Sequence, residues 1–257
     1  MILLLGGTAE TSAMAGLLAP LGRRTLALTA TSTPLDTGQA HGAVRRAGKL
    51  DKDGLLALIR DEGAEAVVDV AHPYAAALHA NARAAADEAD IPYLAYSRPE
   101  ARVEYEMLYH AESHQAAAEL AFSLGGAVLL TTGSRNLTQY ARMARHTGKK
   151  VVARVLDDPE SLRACQMEGF NEDEIIAGRG PFSIEANLEH IEKYEIGALV
   201  TKDSGAAGGV PEKIEAARLA KIPVVMVSRP AGQAPGTFAD MESLVAELRR
   251  RLGGSSE

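Results

Sequence analysis

A chain of 257 residues with 46% hydrophobic and 24% charged side chains has ordinary globular composition, long enough for one large domain or two of the usual size. A net charge of −7 argues against nucleic acid as the main partner, the lone Cys165 excludes a disulfide framework or a thiolate zinc site, and no apolar run reaches the roughly 18 residues of a membrane span. The opening apolar run is too short for a signal peptide, so a cytoplasmic protein with no membrane partner is expected.

Residues 1–5 (MILLL) read as a short buried strand, followed by a Gly-Gly-Thr turn and a helix with Met14, Leu17 and Leu18 on one face. Further strands are expected at 25–30, 66–70 and 92–96, and helices at about 54–62 and 74–89. After Ser97-Arg98-Pro99 a connecting strand at 103–110 leads into a second series. That series comprises a helix at 112–124, strands at 127–132, 151–155 and in EIIAG, a helix at 183–194, a strand at 198–201, a helix at 209–220 and a strand at 223–227. A last helix at about 241–252 precedes GGSSE, read as a flexible tail. Short apolar strands between amphipathic helices indicate an α/β fold with mostly parallel sheets covered on both faces.

An internal repeat divides the chain. IPYLAYSRP at 91–99 recurs as IPVVMVSRP at 222–230, an offset of 131 residues, and a strand with a Gly/Thr turn opens each half (LLLGGT, VLLTTGS). The expectation is two Rossmann-like lobes, residues 1–99 and 100–257, with a cleft between them and ligands at the carboxyl ends of the strands.

Gly6, Gly7 and Thr8 sit between the first strand and the first helix, where glycines let a phosphate approach the backbone and the helix start offers N–H groups. A tight structural turn is the alternative. The loop after the second strand, Thr31-Ser32-Thr33, has no carboxylate before Asp36. An NAD site usually carries an acid there for the ribose hydroxyls, so hydroxyls without one favour NADPH, with Arg45, Arg46 or Lys49 as the cation for its 2′-phosphate. Asp69-Val70-Ala71-His72-Pro73-Tyr74-Ala75 closes another strand, with Pro73 placed in the first helical turn and His72 and Tyr74 over the cleft. Thr132, Gly133, Ser134 and Arg135 repeat the strand–turn–helix arrangement as an anion-binding turn, and Arg179 stands between glycines before another helix. The densest stretch is Lys202-Asp203-Ser204-Gly205 at a strand end, with Lys213 downstream. There Lys202 can pair with an anion and Asp203 can position a proton. His110 and His114 have i,i+4 spacing without a third ligand, so no metal is expected.

The ordered set GGT-x-E, D-x-x-HPYA, TTGSRN, GRGPFS with Asn187, TKDSG-x-x-GG and IPVV-x-x-SRP resembles the precorrin-6A and cobalt-precorrin-6A reductase family of corrin biosynthesis, from Met1 to about Pro230. The resemblance implies two Rossmann-like lobes and an NADPH-dependent reduction of a conjugated double bond of precorrin-6A to precorrin-6B. It implies cofactor contacts at Gly6, Gly7, Thr8, Thr31, Ser32, Thr33, Thr132, Gly133 and Ser134. An anionic tetrapyrrole would meet His72, Tyr74, Arg98, Arg135, Arg179, Ser204, Gly205, Lys213 and Arg229, with Lys202 and Asp203 as catalytic residues. Cations suit a macrocycle fringed with carboxylates. Two departures stand out: the loop after the second strand lacks the family's Leu-Ala-Gly-Arg-like stretch, and the chain has no Trp after the first Arg-Pro. Two other readings fit two lobes around a cleft, a nucleotide-dependent transferase and a non-catalytic ligand-binding module. A monomer or a homodimer is compatible with the sequence.

Overall fold

The computed structural model describes residues 1–31, 35–99, 103–205, 208–229 and 236–253. The chain forms two units, Met1–Pro99 with Pro230–Glu257, and Glu100–Arg229. The expected second lobe, 100–257, is therefore corrected at its end: the C-terminal segment belongs to the first unit.

In the first unit the elements are β1 (Ile2–Leu5), α1 (Glu10–Leu18), β2 (Thr25–Thr29), β3 (Val44–Ala47), α2 (Lys52–Asp61), β4 (Ala66–Asp69), α3 (Ala76–Glu88) and β5 (Tyr93–Tyr96). The second unit runs β6 (Leu108–Ala111), α4 (His114–Leu124), β7 (Ala127–Leu130), α5 (Leu137–Thr147), β8 (Val151–Val155), α6 (Pro159–Met167), β9 (Ile175–Ala177), α7 (Ile184–Lys193), β10 (Ile196–Lys202), α8 (Val210–Ala220) and β11 (Val224–Val227). The chain then returns to the first unit as β12 (Thr237–Phe238) and α9 (Met241–Gly253).

Every strand pair is parallel, and the two sheets share one plan: β12-β5-β4-β1-β2-β3 and β6-β11-β10-β7-β8-β9. This is the Rossmann order, 3-2-1-4-5-6 within each half. The sixth strand is exchanged. β6 follows β5 in the chain but pairs with β11, and β12 follows β11 but pairs with β5. Each exchanged strand brings its helix: α4 packs on β10 and β11, and α9 packs on β5 and α1.

Period-two alternation explains the core. Leu3 and Leu5 point to one face with Leu26, Val67 and Tyr93, where α2 and α3 supply Leu55, Leu58, Ala82 and Ala85. Ile2 and Leu4 point to the other with Val68 and Leu94, where α1 supplies Met14 and Leu18 and α9 supplies Leu244, Val245 and Leu248. In the second unit Leu129, Leu199, Val224 and Met226 pack against Ile191 of α7 and Ile214 and Ala217 of α8. Side-chain caps start several helices: Asp51 for α2, Ser113 for α4, Asp158 with Pro159 for α6, and Ser183 for α7.

Several expected elements change at their edges. The connecting strand at 103–110 shrinks to β6, and Tyr105 before it donates to the Ile222 carbonyl at 2.9 Å. Pro73 lies ahead of α3 rather than in its first turn, because the His72 carbonyl accepts from Ala75 N–H at 2.8 Å and closes a turn there. The tail at 254–257 lies outside the described residues.

Candidate functional site

The Rossmann order places the reversal of strand order beside the first strand of each sheet, so ligands belong outside the carboxyl ends of β1 and β4, and of β7 and β10. Four of the sequence motifs, GGT-x-E, D-x-x-HPYA, TTGSRN and TKDSG, fall at those ends.

In the first unit, Gly6, Gly7 and Thr8 leave β1. Gly7 has φ +106°, with nothing within 4 Å of where a Cβ would stand, whereas a Cβ on Gly6 would lie 2.5 Å from Thr11 Cγ2. Glycine is thus required for space at the first position and for backbone conformation at the second. The expected free N–H groups are partly engaged: those of Gly7 and Thr8 donate to Thr11 Oγ1 at 3.1 and 3.2 Å. Ala9 stands at the N-cap of α1, which has no side-chain cap. Thr8 Oγ1 donates to the Val70 carbonyl at 2.8 Å, tying the turn after β1 to the loop after β4.

Thr31 ends the loop after β2 as far as it is described; Ser32 and Thr33 lie outside the described residues. Arg45 reaches this loop from β3, its Nε donating to Thr29 Oγ1 at 3.1 Å and its Nη2 to the Thr31 carbonyl at 2.7 Å. Asp36 is turned elsewhere. It accepts from Ser12 Oγ at 2.6 Å and from Gly38 N–H at 2.9 Å, and the Ser12 hydrogen bond holds its carboxyl below the usual range.

After β4, His72 and Tyr74 are half-buried, with ring centroids 5.7 Å apart. Behind them Asp69, 1% exposed, accepts from Ala71 N–H at 2.9 Å and Tyr93 OH at 2.6 Å and sits 2.8 Å from His79 Nδ1. The sequence reading missed His79 and Tyr93. Arg98 is buried in an ion pair with Glu10, 2.6 Å long.

In the second unit, Thr132 is buried at the end of β7 with its Oγ1 unpartnered, and Gly133 has φ +81°. Ser134 Oγ lies 3.2 Å from Ser161 Oγ, and Arg135 is exposed. Lys202 at the end of β10 donates to the Thr132 carbonyl at 3.0 Å, joining two predicted strand ends. Burial, then the neighbouring Arg135 charge, pushes the Lys202 ammonium down to about 8. Asp203 is buried and held by Arg229, whose Nε lies 3.2 Å from Oδ2 and 3.0 Å from the Asp203 carbonyl oxygen. Gly205 N–H donates to Asp203 Oδ1 at 3.2 Å, and Ser204 Oγ lies 3.4 Å from the Gly208 carbonyl. Lys213, on the first turn of α8, donates to that same carbonyl at 2.7 Å. Burial, then the charges of Arg154 and Lys202, pushes Lys213 down to about 7.

Arg154 is the cation the sequence reading passed over. It lies within β8 at 5% exposure, donates to Asn187 Oδ1 at 2.8 Å, and stacks 4.2 Å from the Phe182 ring centroid. Burial pushes it down to about 10. Asn187 returns two N–H bonds, to the carbonyls of Phe182 at 3.1 Å and Ser183 at 2.7 Å, and so shapes the segment that carries Arg179. Arg179 itself is exposed. The second unit therefore puts Arg154 and Lys202 each within electrostatic reach of Lys213, with Arg135 beside Lys202. Buried cations normally face carboxylates. Here Arg154 and Lys213 hydrogen-bond neutral groups, while Glu212 acts on Lys213 in the opposite sense to the cations.

The chain is similar to known proteins over nearly its whole length. The family described as precorrin-6x reductase CbiJ/CobK matches residues 1–249. The cobalt-precorrin-6A reductase of Priestia megaterium is 31% identical over 249 residues, covering 96% of this chain and 98% of its own. That of Methanothermobacter thermautotrophicus is 36% identical over 238 residues, covering 88% and 78%. The precorrin-6A reductase of Rhodococcus erythropolis is 32% identical over 230 residues, covering 89% of each. A solved structure described as CobK precorrin-6A reductase superimposes with a TM-score of 0.78 at 25% identity, over 97% of this chain and 96% of that one. Two Rossmann-ordered sheets, the motif-bearing strand ends and full-length similarity lead to one conclusion: this chain is an enzyme of the precorrin-6x reductase family.

Proposed function

We propose that the protein reduces a conjugated double bond of the precorrin-6A macrocycle, with or without cobalt, to give precorrin-6B in cobalamin biosynthesis, with NADPH as hydride source. The observation that carries the substrate side is a group of cations, Arg154 and Lys213 buried and Lys202 half-buried, with hydrogen bonds from Arg154 and Lys213 to neutral acceptors. A ligand fringed with acetate and propionate would add negative charge to this group.

The first unit fits the cofactor. The exposed, left-handed Gly7 leaves room for a diphosphate at the uncapped start of α1. Arg45, held on the Thr29–Thr31 loop, provides a cation where a 2′-phosphate would lie, and Asp36 is already engaged with Ser12 and Gly38. Gly6, Gly7, Thr8 and Thr31 would therefore hold NADPH, which when bound supplies a hydride to the ring system. Ser32, Thr33, Thr132, Gly133 and Ser134 remain assigned to the cofactor by the family resemblance.

The remaining residues bind and orient. Lys202 and Lys213 receive carboxylates, with Arg135 and Arg179 at the exposed margin. Arg229 fixes Asp203, and with it Ser204 and Gly205, against the end of β10. The family resemblance assigns His72 and Tyr74 to the macrocycle, and Arg98 steadies the end of β5 through Glu10. Reduction also takes up a proton. Lys202 and Lys213, with ammonium groups pushed to about 8 and about 7, can release one near neutral pH.

The test is calorimetric titration with NADPH and NADH in parallel, followed by anaerobic turnover of precorrin-6A and of its cobalt complex, monitored by NADPH oxidation. Preference for NADPH with stoichiometric oxidation is the expected result. Equal affinity for NADH would remove the Arg45 argument, and binding without oxidation of either macrocycle would overturn the reaction.

A further inference from the structure

His79 lies in the first turn of α3, behind the loop that carries His72 and Tyr74. Its Nδ1 is 2.8 Å from Asp69 Oδ2 and its Nε2 is 3.1 Å from the His72 carbonyl oxygen. Asp69 also accepts from Tyr93 OH and Ala71 N–H, so three donors converge on one buried carboxylate. An imidazole that faces an acceptor at each nitrogen can satisfy both only with a proton on each. A neutral ring would set a lone pair against one of the two oxygens.

We infer that His79 is a positioning residue that works as an imidazolium: it bridges Asp69 to the His72 carbonyl and fixes the turn that presents His72 and Tyr74. The turn is then held at two points. Thr8 Oγ1 anchors it at the Val70 carbonyl, and His79 anchors it at His72, whose carbonyl also accepts from Ala75 N–H at 2.8 Å. Because both ring nitrogens are occupied, His79 has none left to exchange a proton with substrate. Its role is geometric, and no catalytic contact is assigned to it.

The electrostatics agree with the geometry. Burial pushes the His79 imidazole down, but the Asp69 hydrogen bond and charge, with the His72 carbonyl, outweigh it and hold the group above its ordinary value. The opposing charge is Arg83, one turn on in α3, which also lies over the Tyr93 ring at 4.5 Å. Tyr93, from β5, shares the Asp69 oxygen that faces His79. Lys52 and Arg60 of α2 are committed to Glu88 at the far end of α3. A raised value means that the bridge is complete below the ordinary histidine range and fails as pH rises through the folded-state value.

The role in substrate binding rests on the placement of His72 and Tyr74 proposed above, so the experiment has two arms. The first needs no activity: nitrogen-detected NMR of histidine-labelled full-length protein, with His79 assigned by the signal missing in His79→Gln. Both ring nitrogens protonated at neutral pH, with a titration above that of free histidine, is expected. A single neutral tautomer would overturn the inference. The second arm measures turnover against pH. Wild type should lose kcat/KM with an alkaline limb at the NMR titration point, through KM rather than kcat. His79→Gln should raise the macrocycle KM about tenfold below that point, as the loss of one charged hydrogen bond implies, and lose the part of the limb that follows the NMR titration, while the part set by Lys202 and Lys213 remains. If His79→Gln fails to fold, a limb that coincides with the NMR titration and persists in Lys213→Met decides. An imidazolium with no matching limb would leave the bridge in place and overturn its positioning role. Absence of turnover in wild type would instead overturn the proposed reaction, with the NMR arm still deciding the imidazolium.

Discussion

Arg98 and Arg229 occupy the same position of the internal repeat, 131 residues apart, and each ends in a largely buried ion pair within its own unit. Arg98 takes Glu10, at the start of α1, and Arg229 takes Asp203, just beyond β10. The repeated Ser-Arg-Pro therefore fastens a strand end to a neighbouring motif. That gives the arginines a local task before any ligand is considered.

Asp203→Asn should expose this task. The change keeps the side-chain volume but leaves Arg229, 12% exposed, without its carboxylate. Breaking a buried pair by removing one partner costs about 3 kcal/mol. Urea unfolding should show a loss of that order, with turnover reduced and NADPH affinity in the first unit unchanged.

Arg45→Met tests the nucleotide preference. The guanidinium is held on the Thr29–Thr31 loop by two hydrogen bonds, and a 2′-phosphate there would gain a charge-assisted contact. Removing it should weaken NADPH about tenfold or more while leaving NADH unaffected. Paired calorimetric titrations measure the ratio directly.

Lys213 makes stability depend on pH with a definite sign. Its ammonium is pushed from 10.5 down to about 7 in the folded chain. Below about pH 7 both states hold the proton, and the penalty for a buried cation is fully present. Between about 7 and 10 the unfolded chain binds more protons, so stability rises with pH. The urea midpoint of the unliganded protein should climb through that window. In Lys213→Met the climb should be smaller, with the remainder carried by Lys202.

Leu244→Ala probes the C-terminal helix. Leu244 is fully buried among Ile2, Leu4, Met14 and Leu94, so truncation should cost about 3 kcal/mol. The loss should fall on the first unit. Added NADPH should restore part of the thermal midpoint, because ligand binding stabilises the unit that holds it.

Much of the architecture was legible because parallel strands buried on both faces read as unbroken apolar runs, as in MILLL and AVVDV. Val44–Ala47 escaped because VRRA is an exposed edge strand with little apolar content, and Thr37 to Gly42 before it gives no periodic signal. Thr237–Phe238 escaped because two residues carry no period. The site was legible as motifs at strand ends. Its partnerships were not, because Arg98 meets Glu10 and Arg154 meets Asn187 across long stretches of chain. Arg154 did leave a signal, a charge inside the run VVARV. His79 left none: in an Ala-rich helix it reads as part of a solvated face until Asp69 is placed beside it.

The exchanged sixth strands bear on how the protein is made. The second unit is continuous from β6 to β11, so all of its described elements exist once residue 227 has been synthesised. The first unit has five strands by residue 96 but must wait for residues 236–253 to cover the edge of β5 and the apolar face that α9 occupies. Nascent domains ordinarily mature in the order in which they leave the ribosome. Here the earlier-made unit is completed last, and until then it presents an open sheet edge and bare leucines to whatever else is in the cell.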